Sequence, residues 1–270
     1  MQVQKDLEKI PGHEVANHRI DHWWWLVVAV VGLILLLSIF SPDPYWRVIR
    51  FISDGILVTI GVTLSAFILT LLLGLVAALG RLAKNNLIRW LTTIYVEIAR
   101  GIPLLVQLLF WYFAFPSIIQ SLGSLLQYAP LERFHANPFV MAILGLTFCY
   151  AAYMSEIYRA GIQSIPKGQN EAARSLGMSH GQAMRYIILP QAVRVILPPV
   201  GNEFISLLKD SSLVSVVAVA DMTRRGREFM AANFIPVETW MMIALLYLVM
   251  TLISARVVAW IERKTQTEER

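Results

Sequence analysis

A chain with one cysteine, Cys149, has no second thiol with which to form an internal disulfide. That cysteine lies within an apolar run and reads as a small packing residue, not a nucleophile. Charge is also scarce: Asp, Glu, Lys and Arg make up 15% of the 270 residues, while 57% are hydrophobic. Such a balance is too apolar for a soluble globular domain. No Gly-x4-Gly-Lys-Ser/Thr string occurs, which excludes a Walker-type phosphate cradle. A zinc-protease helix and a metal-ligand cluster are missing as well; His18 and His22 stand four apart without further ligands and read as solvated. Enzyme activity in this chain alone is therefore not expected. The formal charge of +5 comes from basic residues scattered behind apolar runs, which suits membrane loops and not nucleic acid.

What the chain has instead is long hydrophobic runs. Residues 1–22 mix both signs and read as a cytoplasmic tail. Trp23-Trp24-Trp25 marks a membrane interface, and residues 23–40 form an uncharged run of about 27 Å, one hydrocarbon core thick. The long mixed-charge lead and the absence of a small-x-small site in Ser41-Pro42-Asp43-Pro44 make this a retained span, not a cleaved signal peptide. Gly55–Gly80 is the second span, with small-xxx-small steps at Gly61/Ser65 and Gly74/Ala78 suited to close helix packing. The third runs from Trp90 to about Phe115-Pro116, with a break expected at Gly101–Pro103. Residues 117–137 read as an external loop, and the fourth span as Pro138–Tyr158. Beyond residue 187, Pro190, Pro198 and Pro199 forbid a regular helix. A kinked span to Leu208 is expected there, followed by a short segment, Leu213–Ala220, packed inside the protein. Trp240–Trp260 is the last span, and 263–270 the C-terminal tail.

The expected fold is thus all-α and polytopic, with six transmembrane helices. Six crossings put both termini on one side, and loops there carry about twice the Lys and Arg of the other side, so that side is cytoplasmic. Arg224, Arg225 and Arg227 run against this bias and read as headgroup anchors.

One polar island, Ile165–Gln191, interrupts the apolar pattern. Pro166 can open a helix that Glu171-Ala172-Ala173-Arg174-Ser175-Leu176 continues. Gly177 supplies a turn, and Ser179 with Gln182 reads as a capping box for a second helix. The small Ala172-Ala173 pair would let another backbone approach closely. Polar groups within spans are the other candidates, because a central charge costs about 2.5–3.5 kcal/mol. They are Arg100, Gln107, Glu156, Arg194, Asn202, Glu203, Lys209 and Asp210, joined by Ser212 at the end of the cluster. Glu156 can pair with Arg159, and Lys209 with Asp210, while Arg100 and Arg194 can snorkel. Convergence of kinks, an amide, charges and serines near 202–212 favours a pathway there.

Several strings together resemble the polar amino-acid branch of the ABC importer permeases. They are Glu97–Gln107, Glu156-Ile157-Tyr158-Arg159, the EAA hairpin with Ile188-Leu189-Pro190, Pro198-Pro199 and Lys209-Asp210-Ser211-Ser212-Leu213. The resemblance covers about 54–262. It implies a five-helix type I core plus the extra helix at 23–40, with the coupling loop at 163–188. In that loop Gly168, Glu171, Ala172, Ala173, Arg174, Leu176, Gly177 and Met178 would meet an ATPase. Arg100, Gln107, Glu156, Asn202, Glu203, Lys209, Asp210 and Ser212 would line the substrate pathway. Implied partners are two ABC ATPase subunits, a second permease, an extracytoplasmic amino-acid-binding protein and membrane lipid, without nucleic acid. ATP and Mg would sit on the ATPase, leaving this chain without a cofactor, in the bacterial inner membrane. Ser211 stands where the family usually has Thr, and the extra helix lies outside the shared core. An ion-coupled secondary amino-acid carrier is the alternative, but such carriers repeat their halves and no second copy of the hairpin string appears.

Overall fold

The computed structural model describes residues 23–266, so the N-terminal tail with His18 and His22, and residues 267–270, lie outside the described residues. Among the described residues every regular element is helical. Helix α1, Trp23–Phe40, carries no charge and buries only Val27, Val30 and Ile34, a spacing of i, i+3, i+7. Most of its remaining surface is exposed and apolar, as lipid contact requires.

Helix α2, Pro42–Arg81, begins well before the expected Gly55. Its buried stripe runs through Ile52, Gly55, Thr59, Val62, Ala66, Thr70, Gly74 and Ala78. Gly55 is required by close approach: a Cβ there would stand 2.9 Å from the backbone N and Cα of Met222. Nearby, the Met222 amide donates to Thr59 Oγ1 at 3.1 Å. Gly74 packs on Met154, so the Gly74/Ala78 step is used, whereas Gly61 meets only the Phe139 ring tip at 3.7 Å.

The expected third span is divided. Helix α3, Asn86–Gly101, is capped by Asn85, whose side chain accepts from Leu87 N at 2.8 Å. It ends at an extended Ile102-Pro103, and α4, Leu104–Leu125, is long and apolar enough to span by itself. Residues 117–125, expected in an external loop, are therefore helical, although a one-turn helix, Ala129–Glu132, does follow in that region. Pro116 does not end α4. Its ring excludes the carbonyl four residues back, and the turn widens to a π turn at Phe110–Ala114, in which Phe115 N bonds to Phe110 O.

Helix α5, Pro138–Gln163, is the most buried span. It is followed by α6, Lys167–Ser175, and a turn at His180–Ala183 that leads through a second π turn, Met184–Ile188, into α7, Leu189–Asp210. Here too the residue before a proline, Leu189, bonds five residues back, to Met184 O. Pro198 and Pro199 sit inside α7 without dividing it, so one helix covers the single span expected to about Leu208. A 3-10 stretch, Ser211–Val217, buries Val214 and Val217, as expected for the internal segment. Helices α8, Met222–Asn233, and α9, Pro236–Gln266, complete the chain.

The main core joins Val62, Ala66, Leu108, Leu146, Tyr150, Leu207, Val214 and Val217 from α2, α4, α5, α7 and the 3-10 stretch. A second cluster of Val30, Ile34, Ile52, Met222, Phe229, Met242 and Ile243 fastens α1 and α8 to α2 and α9. Among the described residues five helices (α1, α2, α4, α5 and α9) are long and apolar enough to cross a membrane. The expected sixth, α7, has 22 residues but carries Arg194, Glu203, Lys209 and Asp210. It packs antiparallel to both neighbours: Ile196 lies on Gly161 of α5, and Val258 of α9 on Gly201. Arg256 near the end of α9 covers the Trp23 ring at 5.7 Å. Both ends of the described chain therefore share one end of the bundle with the α6 hairpin.

Candidate functional site

A cavity of about 440 Å³ opens where the α3–α4 break meets α5 and α7. Arg100, Gly101, Ile102, Pro103 and Leu104 form one wall, Cys149, Tyr150 and Tyr153 a second, and Glu203, Ser206 and Asp210 the third. Residues 203, 206 and 210 are spaced i, i+3, i+7 and so share one face of α7. Arg100 places its guanidinium over the Tyr153 ring at 5.3 Å. The Tyr150 hydroxyl donates to Asp210 Oδ2 at 2.7 Å. Two carboxylates and one guanidinium thus face the same space, with aromatic rings between them.

Of the eight pathway candidates, the structure brings Arg100, Glu203 and Asp210 into this cavity; the other five lie elsewhere. Lys209 and Asn202 are exposed on another face of α7, since one residue turns the helix about 100°. Among the described residues no ion pair joins Lys209 to Asp210, which instead binds Tyr150. Ser212 is half-buried outside the cavity lining. Gln107 is buried, its side-chain amide donating to Ala99 O and Ile102 O, both at 2.8 Å. Glu156 lies nearer the hairpin end, paired with both Arg81 and Arg159 and so linking α2 to α5. Tyr150, Tyr153 and Ser206 were missed by reading charge alone. The i, i+3, i+7 spacing from Glu203 and the Tyr150/Tyr153 step would have shown them.

The hairpin closes as its composition demands. The Gly177 amide donates to Arg174 O at 3.0 Å and the Met178 amide to Ala173 O at 3.1 Å, the crossed pair of a Schellman end. Gly177 has φ +84°, the left-handed region. Ser179 Oγ accepts from Gln182 N at 3.3 Å, while Gln182 Oε1 accepts from Ser179 N at 2.8 Å, completing the capping box. Gly177-Met178-Ser179-His180-Gly181 spells the Gly-x-Ser-x-Gly of hydrolase elbows, but no strand precedes it and the serine hydroxyl is a helix cap. Gly168, Glu171, Ala172 and Arg174 are exposed, Met178 half-buried, and Leu176 stands 84% exposed at the tip. Ala173 departs from the expectation: at 4% exposure it is turned into the hairpin's own packing, so Ala172 alone of the pair faces outward.

The arginines of α8 are not free anchors. Arg225 pairs with Asp54 and with Glu228, Arg224 with Glu228 at 3.0 Å, and Arg227 donates to Ser215 Oγ at 3.0 Å. The reading of these arginines as headgroup anchors did not include Asp54, an acidic partner distant in sequence. Hydrogen bonds from Arg224, then Arg225, hold the Glu228 carboxyl below its ordinary range. A depressed carboxyl contributes stability above its unfolded value and loses it as pH falls through the folded one. Thermal midpoints in detergent should therefore decline on acidification through that range, and the decline should be smaller in Glu228→Gln. An identical pH profile in the variant would remove this cluster's role.

Among the described residues no group of three His, Cys, Asp or Glu side chains is placed to hold a metal. Residues 70–267 match the family described as the binding-protein-dependent transport system inner membrane component. The chain belongs to this family. Among its relatives is the glutamine transport system permease protein GlnP of Escherichia coli K12, 34% identical over 225 residues, 83% of this chain and 97% of that protein. The L-cystine transport system permease protein TcyB of Bacillus subtilis is 40% identical over 191 residues, 71% of this chain and 74% of TcyB. A crystal structure described as an amino acid ABC transporter with histidines matches with TM-score 0.70 and 38% identity, covering 84% of this chain and 97% of its own. The MetNI methionine ABC transporter, at 18% identity and TM-score 0.63, shares the fold over 81% of this chain and 98% of its own. As a member of this transport family the chain is a multi-pass membrane permease, and none of these matches points to an ion-coupled carrier.

Proposed function

We propose that this chain is the transmembrane subunit of an ABC importer for polar amino acids, forming the path and coupling ATP hydrolysis by partner subunits to alternating access. The observation that carries this reading is spatial. A rigid, capped hairpin with an exposed leucine tip stands at one end of the bundle, and a charged cavity opens between broken α3–α4 and α7. Two ATPases, one on the hairpin of each permease, would hold ATP and Mg, and this chain would hold no cofactor. A second permease, identical or similar, and an external amino-acid-binding protein complete the assembly. The chain would sit in the bacterial inner membrane with α7 as the sixth crossing and both termini cytoplasmic. Alternating access requires a ligand with different affinity for two states, so the cavity's polar groups are paired in one state and free in the other.

Reconstitution decides the matter. With its ATPase and binding protein in liposomes, the chain should import labelled amino acid only when ATP is supplied. Uptake by the chain alone on a proton or sodium gradient would sink the proposal. The cavity further suggests a cationic solute, because Glu203 and Asp210 outnumber Arg100 while Lys209 faces elsewhere. Glu203→Gln should lower the preference for lysine or arginine over glutamate by about tenfold, equivalent to ~1.4 kcal/mol. An unchanged cation preference removes that substrate reading.

A further inference from the structure

The break between α3 and α4 leaves carbonyls at the end of α3 without helical donors. Ile102 N still reaches Ile98 O at 3.2 Å, but Ile102 and Pro103 are extended and continue no ladder. Gln107, one turn into α4, supplies what is missing. Its backbone N bonds Pro103 O at 3.2 Å, and its side-chain Nε2 donates to Ala99 O and Ile102 O, one on each side of Arg100 and Gly101. The side chain is 4% exposed, and among the described residues its Oε1 has no hydrogen-bond partner. The two bonds made by its donor end are thus the hydrogen bonds its side chain contributes at the break.

We propose that Gln107 is a positioning residue: it clamps the interrupted segment and thereby holds Arg100 at the wall of the cavity. Gln107 itself does not line the cavity, whereas the segment it ties, Arg100 to Leu104, forms a whole wall. The clamp spans from Ala99 to Ile102, so Arg100 and Gly101 are fixed between two anchored carbonyls. A hydrocarbon side chain of similar length fills the space but cannot donate, and a carboxylate repels both carbonyls. The role in transport rests on the importer reading; the clamp as such does not.

The test uses the reconstituted permease, ATPase and binding protein, with Gln107→Met and Gln107→Glu. Uptake of labelled arginine should fall about tenfold in both, with ATP hydrolysis by the assembly unchanged. In an Arg100→Ala background neither substitution should add a further loss, because the two act through one element. Losses that simply add would overturn the proposal. Cys149 lines the same cavity as the clamped segment and its thiol is hydrogen-bonded to the Gln107 side chain, so it gives a second readout of the clamp that does not depend on transport. Its labelling by a membrane-permeant maleimide should quicken about tenfold in Gln107→Met, and an unchanged rate would overturn the clamp. Failure of both variants to assemble would overturn it too, since Gln107 would then serve folding and not placement. Should the wild-type assembly import nothing, the importer reading falls while Cys149 labelling still decides the clamp.

Discussion

Gly177→Val is expected to weaken retention of the ATPase subunit and cut ATP-driven uptake about 5–30-fold while leaving the membrane body folded. A left-handed backbone costs a residue with a Cβ about 1–2 kcal/mol, most for a β-branched one. Nothing lies within 4 Å of a Cβ built on Gly177, so the cost is conformational strain and not collision. The strain falls on the crossed Schellman bonds, which set the angle between α6 and the capped turn and so the position of Leu176. A shift of that size changes the docking-competent population about 5–30-fold. Gly177→Asn, which tolerates this region, should keep partial activity, and Gly168→Ala, in open space without positive φ, should keep nearly all. Glu171→Lys should resemble Gly177→Val in ATPase retention. Its carboxylate is exposed, so reversing it disturbs a partner and not the fold. Undiminished retention of the ATPase by Gly177→Val, measured by co-purification, would refute the coupling assignment.

Glu156→Gln should destabilise the permease and leave its choice of substrate unchanged. The carboxylate bridges Arg81 and Arg159, at 28% exposure against 13% and 28% for the arginines. Removing its charge leaves two guanidiniums facing each other at the ends of α2 and α5. Exposed pairs contribute about 0.2–1 kcal/mol, and breaking buried ones costs about 3–5 kcal/mol. This half-exposed pair falls between, at about 1–3 kcal/mol, visible as a lower thermal midpoint in detergent. Arg81→Met should cost less, because Arg159 still neutralises the glutamate. If Glu156→Gln instead alters competition between amino acids at an unchanged midpoint, Glu156 belongs to the pathway and its placement outside the cavity is misleading.

Local signals were legible from the residues alone where the cause is local. Pro166, Gly177, Ser179 and Gln182 specify a helix end, a left-handed turn and a cap within a few bonds of themselves, and the hairpin forms as they dictate. The break at Gly101–Pro103 follows likewise from a missing backbone donor. Pro116 misled, because it widens one turn into a π turn instead of ending the helix; Pro190 does the same within the kinked span expected there. Charge misled in a similar way at α8, where Asp54 neutralises Arg225 from 171 residues away.

By itself the sequence determined that this protein is helical and membrane-borne, that it carries no Walker-type string, and that its polar hairpin turns at Gly177. Those properties depend on composition and on spacings of a few residues. Only the tertiary structure decided which polar groups share a space. It brought Arg100, Glu203 and Asp210 together with Tyr150 and Tyr153, turned Lys209 and Asn202 away, and made Gln107 a tie across the break. The physical reason is rotation about the helix axis: a step of one residue moves a side chain about 100°, and only packing against α5 and α9 fixes which face of α7 looks inward.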